Sequence, residues 1–145
     1  MVLRSYMGMN QSFPWQGAGW GPVLTLALVL GKASGGFAMD RLGARRASGW
    51  TLGAAAVLYL CSALPLPGIL AVFLFNMTMP GTLWAAARML PQGFSFGLLT
   101  FGLFLGFLPS YLGWPNLLTG PGTYAAVSLV SLGLLYAGLR RAPPC

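Results

Sequence analysis

Histidine is absent from this sequence, acid is reduced to Asp40, and cysteine to Cys61 and Cys145. Without histidine and with a single carboxylate, a zinc site, a serine triad or a carboxylate pair cannot be assembled within one chain. Hydrolytic chemistry of these kinds is not expected, nor is other enzyme activity, and no metal or other cofactor is called for. One cysteine lies in an apolar run and the other is the last residue, so they give neither a disulfide framework nor metal-ligand spacing. Charge of either sign is scarce: 6% of residues are charged and 57% are hydrophobic, against roughly 25% charged in soluble domains. A soluble domain of this length would need far more polar residues to cover its surface. The alternation of apolar and polar residues that builds β-barrel strands is also lacking. Residues 1–19 are not expected to be a cleavable signal, because Arg4 is followed by Gly8, Asn10, Gln11, Ser12 and Pro14 rather than by an unbroken apolar core.

What is present is a series of apolar runs punctuated by proline, glycine and arginine. A spanning helix needs ~20 mostly apolar residues. The first run extends from Trp20 to Met39, broken only by Lys32. The second, Ser48 to Leu64, stops at the turn Pro65-Leu66-Pro67-Gly68. The third continues from that turn to Met89, with Asn76, Thr78 and Pro80 inside it. A fourth runs from Pro91 to Leu108, and its proline falls in the first helical turn, where a missing N–H does no harm. The fifth, Gly122 to Leu139, ends at Arg140-Arg141. The uncharged stretch Pro109 to Pro121 is expected to be a loop. The fold expected is therefore an all-α integral membrane bundle of five transmembrane helices, with the lipid bilayer as its main partner. Residues 1–19 are expected as an extracytoplasmic segment, either a partial helix or an exposed approach to the first span. Residues 20–139 form the transmembrane domain and 140–145 a cytoplasmic tail.

The net charge of +7 does not indicate nucleic acid as a partner. The positive residues sit at the ends of spans, where they suit anionic headgroups and set topology. With the Asp40–Arg46 connection inside, Arg88 and Arg140-Arg141 also fall inside, and Arg4 is the one arginine left outside. That distribution follows the positive-inside bias and gives a multi-pass plasma (inner) membrane protein with its N-terminus outside and its C-terminus cytoplasmic. Trp15, Trp20, Trp50 and Trp114 fall near span ends, as an interfacial belt requires. The pairs Gly31/Gly35, Gly49/Gly53, Gly93/Gly97 and Gly102/Gly106 are read as packing grooves that let helices approach closely.

The stretch from Gly36 to Arg46 closes the first apolar run with the chain's only acid, three arginines and a glycine in the pattern G-x-x-x-D-R-x-G-x-R-R. The pattern resembles the signature loop of the major facilitator superfamily (MFS), with Gly36, Asp40, Arg41, Gly43, Arg45 and Arg46 at its defining positions. In that family the loop joins the second and third, or the eighth and ninth, membrane helices on the cytoplasmic side. The resemblance implies that the five spans correspond to the eighth to twelfth helices of a C-terminal half. Pro91 to Leu108, with Gly93, Gly97, Gly102 and Gly106, also looks like the eleventh helix of such proteins. A complete transporter has about twelve helices in two halves around a central cavity. The chain is thus expected as a truncated or split member that works with a second half or a homo-oligomer. The implied function is transport of a small solute by alternating access between halves. The alternative is a non-transporting remnant or a membrane assembly module.

The resemblance implies that Asp40 takes part in conformational gating, held by an arginine of its own half and facing a helix N-terminus of the opposite half. Arg88, at the same side of the membrane, is the candidate partner. The plainer alternative is that Asp40 caps the turn and the arginines set topology. Lys32 precedes Asp40 by eight residues, about 12 Å along a helix, too far for an easy reach to the interface. An intramembrane ionisable residue is a pathway hypothesis by default. Lys32 is therefore a candidate for lining a cavity and meeting an anionic group of a substrate, against the alternative of drawing water inward among glycines. Asn76 and Thr78 lie mid-span, where they either hydrogen-bond a substrate or satisfy neighbouring helices.

Overall fold

Proline opens the helices of this chain and glycine helps to close them. A computed structural model describes residues 2–17, 19–89, 91–113 and 120–141, without the side chains of Arg88, Met89, Gln92, Leu139 and Arg141. Trp114 and Cys145 lie outside the described residues. The helices are α1 (Val2–Asn10), α2 (Gly21–Leu42), α3 (Ala44–Leu60), α4 (Pro65–Asn76), α5 (Met79–Met89), α6 (Gln92–Tyr111) and α7 (Pro121–Arg141). Proline stands in the first turn of α2 and α4, at the N-cap of α6 and at the first residue of α7. There its fixed φ suits the helix and its missing N–H goes unneeded.

The expected loop from Asp40 to Arg46 is instead a corner of one residue. Helix α2 continues through Leu42, Gly43 turns at φ 79°, and α3 begins at Ala44. The Gly43 N–H donates to the Met39 carbonyl at 3.0 Å, closing α2. Only glycine takes such a φ without penalty, so a single residue suffices. Arg41 consequently lies in the last turn of α2, and Arg45 and Arg46 in the first turn of α3.

A second difference concerns the third apolar run, whose helix breaks at Met77–Thr78 between α4 and α5. Pro80 supplies the reason: it offers no N–H to the Asn76 carbonyl, and its ring crowds that carbonyl. In α6, by contrast, Pro109 is accommodated in the last turn and the helix runs on to Tyr111. The expected loop therefore starts later than Pro109, and its residues 114–119 lie outside the described residues.

Among the described residues three helices are long and apolar enough to cross a membrane: Gly21–Leu42, Pro65–Ala87 taken through the break, and Gly93–Tyr111. Among the described residues all regular structure is helical. The surface is inverted relative to a soluble domain. Leu26, Phe37, Val57, Leu66, Phe96 and Phe104 are more than half exposed, whereas Ser48, Asn76, Thr78 and Ser128 are buried. Large contiguous apolar surfaces are what lipid or a partner covers. On α3, Ala47, Ser48, Leu52, Ala55, Ala56 and Tyr59 form one buried stripe at helical spacing. Helix α7 meets α3 with Tyr124, Ala125 and Ser128 buried. Small residues on both helices allow the close approach on which membrane packing depends.

The glycine pairs divide by face. A Cβ on Gly31 or Gly35 would collide with the Phe73 or Met77 carbonyl, and one on Gly106 with Ser5 and the Val2 carbonyl. Gly49, Gly53, Gly93 and Gly97 face open space. The first set holds α2 to α4–α5 and α6 to α1, while the second does not pack within this bundle.

Residues 1–19 do more than approach the first span. Helix α1 lies along α6, with Ser5 against Gly106 and Asn10 Nδ2 donating to Ser110 Oγ at 2.6 Å. Both sequences advance together, so the two helices run in the same direction. The connection to α2 then folds over one end of the bundle. Trp15 Nε1 donates to the Ser62 carbonyl at 2.9 Å and its ring stacks on Phe13 at 4.8 Å. The Ser12 N–H donates to Tyr124 Oη at 3.1 Å. These contacts gather at one end the N-terminal segment, the turn before Pro65, the end of α6 and the start of α7.

Candidate functional site: an unneutralised guanidinium between two cavities

The break between α4 and α5 exposes backbone inside an apolar bundle, and carbonyls in such a place need new donors. The Phe75 carbonyl accepts from Thr78 Oγ1 at 2.9 Å and from Arg4 Nη2 at 3.3 Å. Arg4 Nη2 also donates to Thr78 Oγ1, and the guanidinium lies over the Phe75 ring at 5.0 Å. Asn76 is buried and donates from Nδ2 to the Val72 carbonyl at 2.8 Å. Thr78 is fully buried, so it is the fixed point on which Arg4 docks.

Arg4 is only partly satisfied there. Its Nη1 is shielded from solvent and has no partner, and the same holds for Gln11 Nε2 and Tyr59 Oη. The Gln11 side chain stands beside the Tyr59 hydroxyl. Among the described residues no acidic side chain neutralises Arg4, because the one acidic residue of the sequence, Asp40, is exposed in another groove. A charge held inside a membrane bundle without a counter-charge is costly, and such residues mark binding sites and pathways.

Arg4 stands between two cavities. One, of about 300 Å³, is lined by Gln11, Gln16, Thr25, Asn76 and apolar residues of α1, α2 and α4, and it lies towards the end where Trp15 meets Ser62. The other, of about 380 Å³, is lined by Val2, Leu52, Thr82, Ser131 and Leu135, further along α5 and α7. Arg4 belongs to the walls of both. Thr78→Val keeps the shape but removes the hydroxyl that anchors the guanidinium. It is expected to lower stability by about 1–3 kcal/mol, read as a fall in the thermal midpoint of the protein in neutral detergent. An unchanged midpoint would show that Arg4 does not depend on Thr78.

Of the residues singled out in the sequence, Asn76 and Thr78 are thus brought together with Arg4. Lys32 is not. The buried positions of α2 are Ala27, Gly31 and Gly35, and Lys32 is turned about 100° from Gly31. It is exposed and does not line the cavities beside Arg4. Gly36, Asp40 and Gly43 line a different groove, of about 450 Å³, against Pro80, Gly81 and Trp84 of α5. Arg45 and Arg46 lie on another surface with Trp50, and Arg41 is exposed. Arg88 follows Trp84 by four residues on α5, but its side chain, and with it the expected pairing with Asp40, lies outside the described residues.

Arg4 carries no special role in the sequence reading, where it serves as the one outer charge. The structure corrects this by placing it beside Thr78 within the bundle. The sequence holds one signal that points the same way: a chain with eight basic residues and one acid must leave cations unpaired wherever it buries them. No family model, no curated protein and no solved structure matches this chain.

Proposed function

We propose that the chain forms five spans of one half of an MFS-like transporter, with α3 and α7 crossing the membrane beside the three candidate spans named above. It would move a small solute by alternating access, together with a second half or another copy of itself, in the plasma membrane. The observation that carries this reading is the meeting of two cavities at Arg4, beside a helix broken within the bundle. Discontinuous helices near the midplane are a recurrent way of building solute sites in transporters. The pattern from Gly36 to Arg46 supports the same reading. Its glycines and acid face α5 across a groove, where a change in packing between α2 and α5 would be felt.

Side-specific thiol labelling tests the proposal. Cys61 is exposed at the end where Trp15 meets Ser62, and Cys145 ends the chain. A membrane-impermeant maleimide should reach Cys61 from outside intact cells and Cys145 only in inverted vesicles. In a background carrying Cys61→Ser and Cys145→Ser, Thr25→Cys should react from outside and Thr82→Cys from the cytoplasmic side. Reaction of both positions from the same side would sink the two-cavity arrangement.

A further inference from the structure

We infer that the cavity beside Arg4 is a binding site for a small oxyanion, a carboxylate or phosphate group carried on a compact, partly apolar body. As a substrate site the inference rests on the transport reading above; as a binding site it stands without it. The electrostatic argument comes first. Arg4 is positively charged, has a shielded and unpartnered Nη1, and has no acidic side chain beside it among the described residues. An anion brought to it supplies the missing counter-charge and accepts the unused N–H bonds. With Nη2 engaged by Thr78 and the Phe75 carbonyl, Nη1 is the group left to make a charge-assisted bond to an oxyanion, one of the stronger kinds of hydrogen bond.

The surroundings favour a ligand rather than water alone. The cavity holds about 300 Å³, well beyond the ~30 Å³ share of one water molecule. Gln11 adds an amide to its wall, beside the Tyr59 hydroxyl. Met7, Leu24, Leu28 and Val72 supply an apolar wall for the body of the ligand. Few convergent polar groups on an apolar lining is the usual composition of a small-molecule site. Lys32 is exposed on α2 and does not line this cavity.

Benzoate and inorganic phosphate are suitable probes, titrated against the full chain in neutral detergent with thermal unfolding as the readout. The wild type should show a saturable rise in midpoint with at least one of them, and Lys32→Gln should behave alike. Arg4→Gln should weaken the apparent affinity at least tenfold. Gln11→Leu, which leaves the Arg4–Thr78 contact in place, should weaken it severalfold, and it keeps the test open if Arg4→Gln does not fold. A second arm adds phosphatidylglycerol or phosphatidylcholine. Competition by the anionic lipid alone supports the oxyanion site and identifies a lipid headgroup as its source. Saturable binding unaffected by either lipid supports a free solute. Binding without uptake into proteoliposomes leaves the site intact and removes the transport reading. No saturable shift, an equal shift in Arg4→Gln, or a shift abolished by Lys32→Gln would each overturn the inference.

Discussion

Gly35→Ala is expected to destabilise the bundle far more than Gly53→Ala, although both glycines belong to the same sequence pattern. A Cβ at Gly35 meets the carbonyl oxygen, carbonyl carbon and Cα of Met77. All three are backbone atoms at the break between α4 and α5, so no side chain can swing aside. Overpacking of this kind costs about 1–3 kcal/mol, occasionally more. At the upper end the folded population falls roughly a hundredfold relative to the unfolded. Gly53 has open space where its Cβ would be, and its replacement should stay within about 0.5 kcal/mol. Thermal midpoints of the two variants in the same detergent decide the matter. Equal tolerance would mean that α2 does not pack on α4–α5 through Gly35.

If the chain works by the alternating access proposed above, Asp40→Asn is expected to shift the balance between outward-open and inward-open forms while leaving membrane insertion and abundance unchanged. Asp40 sits in the last turn of α2, where the partial negative charge of the helix end disfavours a carboxylate. A positive partner would offset this, and the groove towards α5 is where one can approach. Interaction with a helix N-terminus is worth ~0.3–1 kcal/mol when exposed and up to ~2 when partly buried. The upper value changes a two-state ratio by roughly thirtyfold. The ratio of labelling rates at Thr25→Cys and Thr82→Cys reads this shift without requiring a known substrate. If Arg88 is the partner, Arg88→Ala should produce a similar shift, and the double variant should not add to it. An unchanged ratio in Asp40→Asn would leave the corner at Gly43 as a topology and packing element. Additive shifts would remove Arg88 as the partner.

The glycine pairs illustrate how far the sequence could be read. Small residues four apart announce a face that tolerates close approach, and at Gly31/Gly35 and Gly106 the structure has a helix there. At Gly49/Gly53 and Gly93/Gly97 the pattern is the same and no helix of this bundle arrives. Spacing within one helix sets the shape of its own surface. Whether another helix meets that surface depends on the rest of the bundle, and no local signal carries that information.

What the sequence by itself determined is the solvent. Long apolar runs, one acid and arginines held to the run ends leave helices in a bilayer as the workable arrangement, because every backbone polar group must be satisfied within its own segment. Pro91 at the start of α6 and Gly43 at the corner between α2 and α3 follow equally from local backbone chemistry, whereas Pro65 to Gly68, expected as a turn, form the first residues of α4. Tertiary structure alone decided the fate of Arg4 and Lys32. Both are isolated cations in apolar surroundings, and neither has a neighbour in sequence that reveals its depth. Arg4 is drawn inward because α1 packs on α6 at Gly106 while Pro80 breaks the helix opposite and offers the Phe75 carbonyl and Thr78 as acceptors. Lys32 is turned outward because Gly31 and Gly35 claim the inner face of α2 for the carbonyls of Phe73 and Met77. The physical reason is that burial of a charge is settled by acceptors lying more than seventy residues away in the chain, and only the folded bundle brings them within reach.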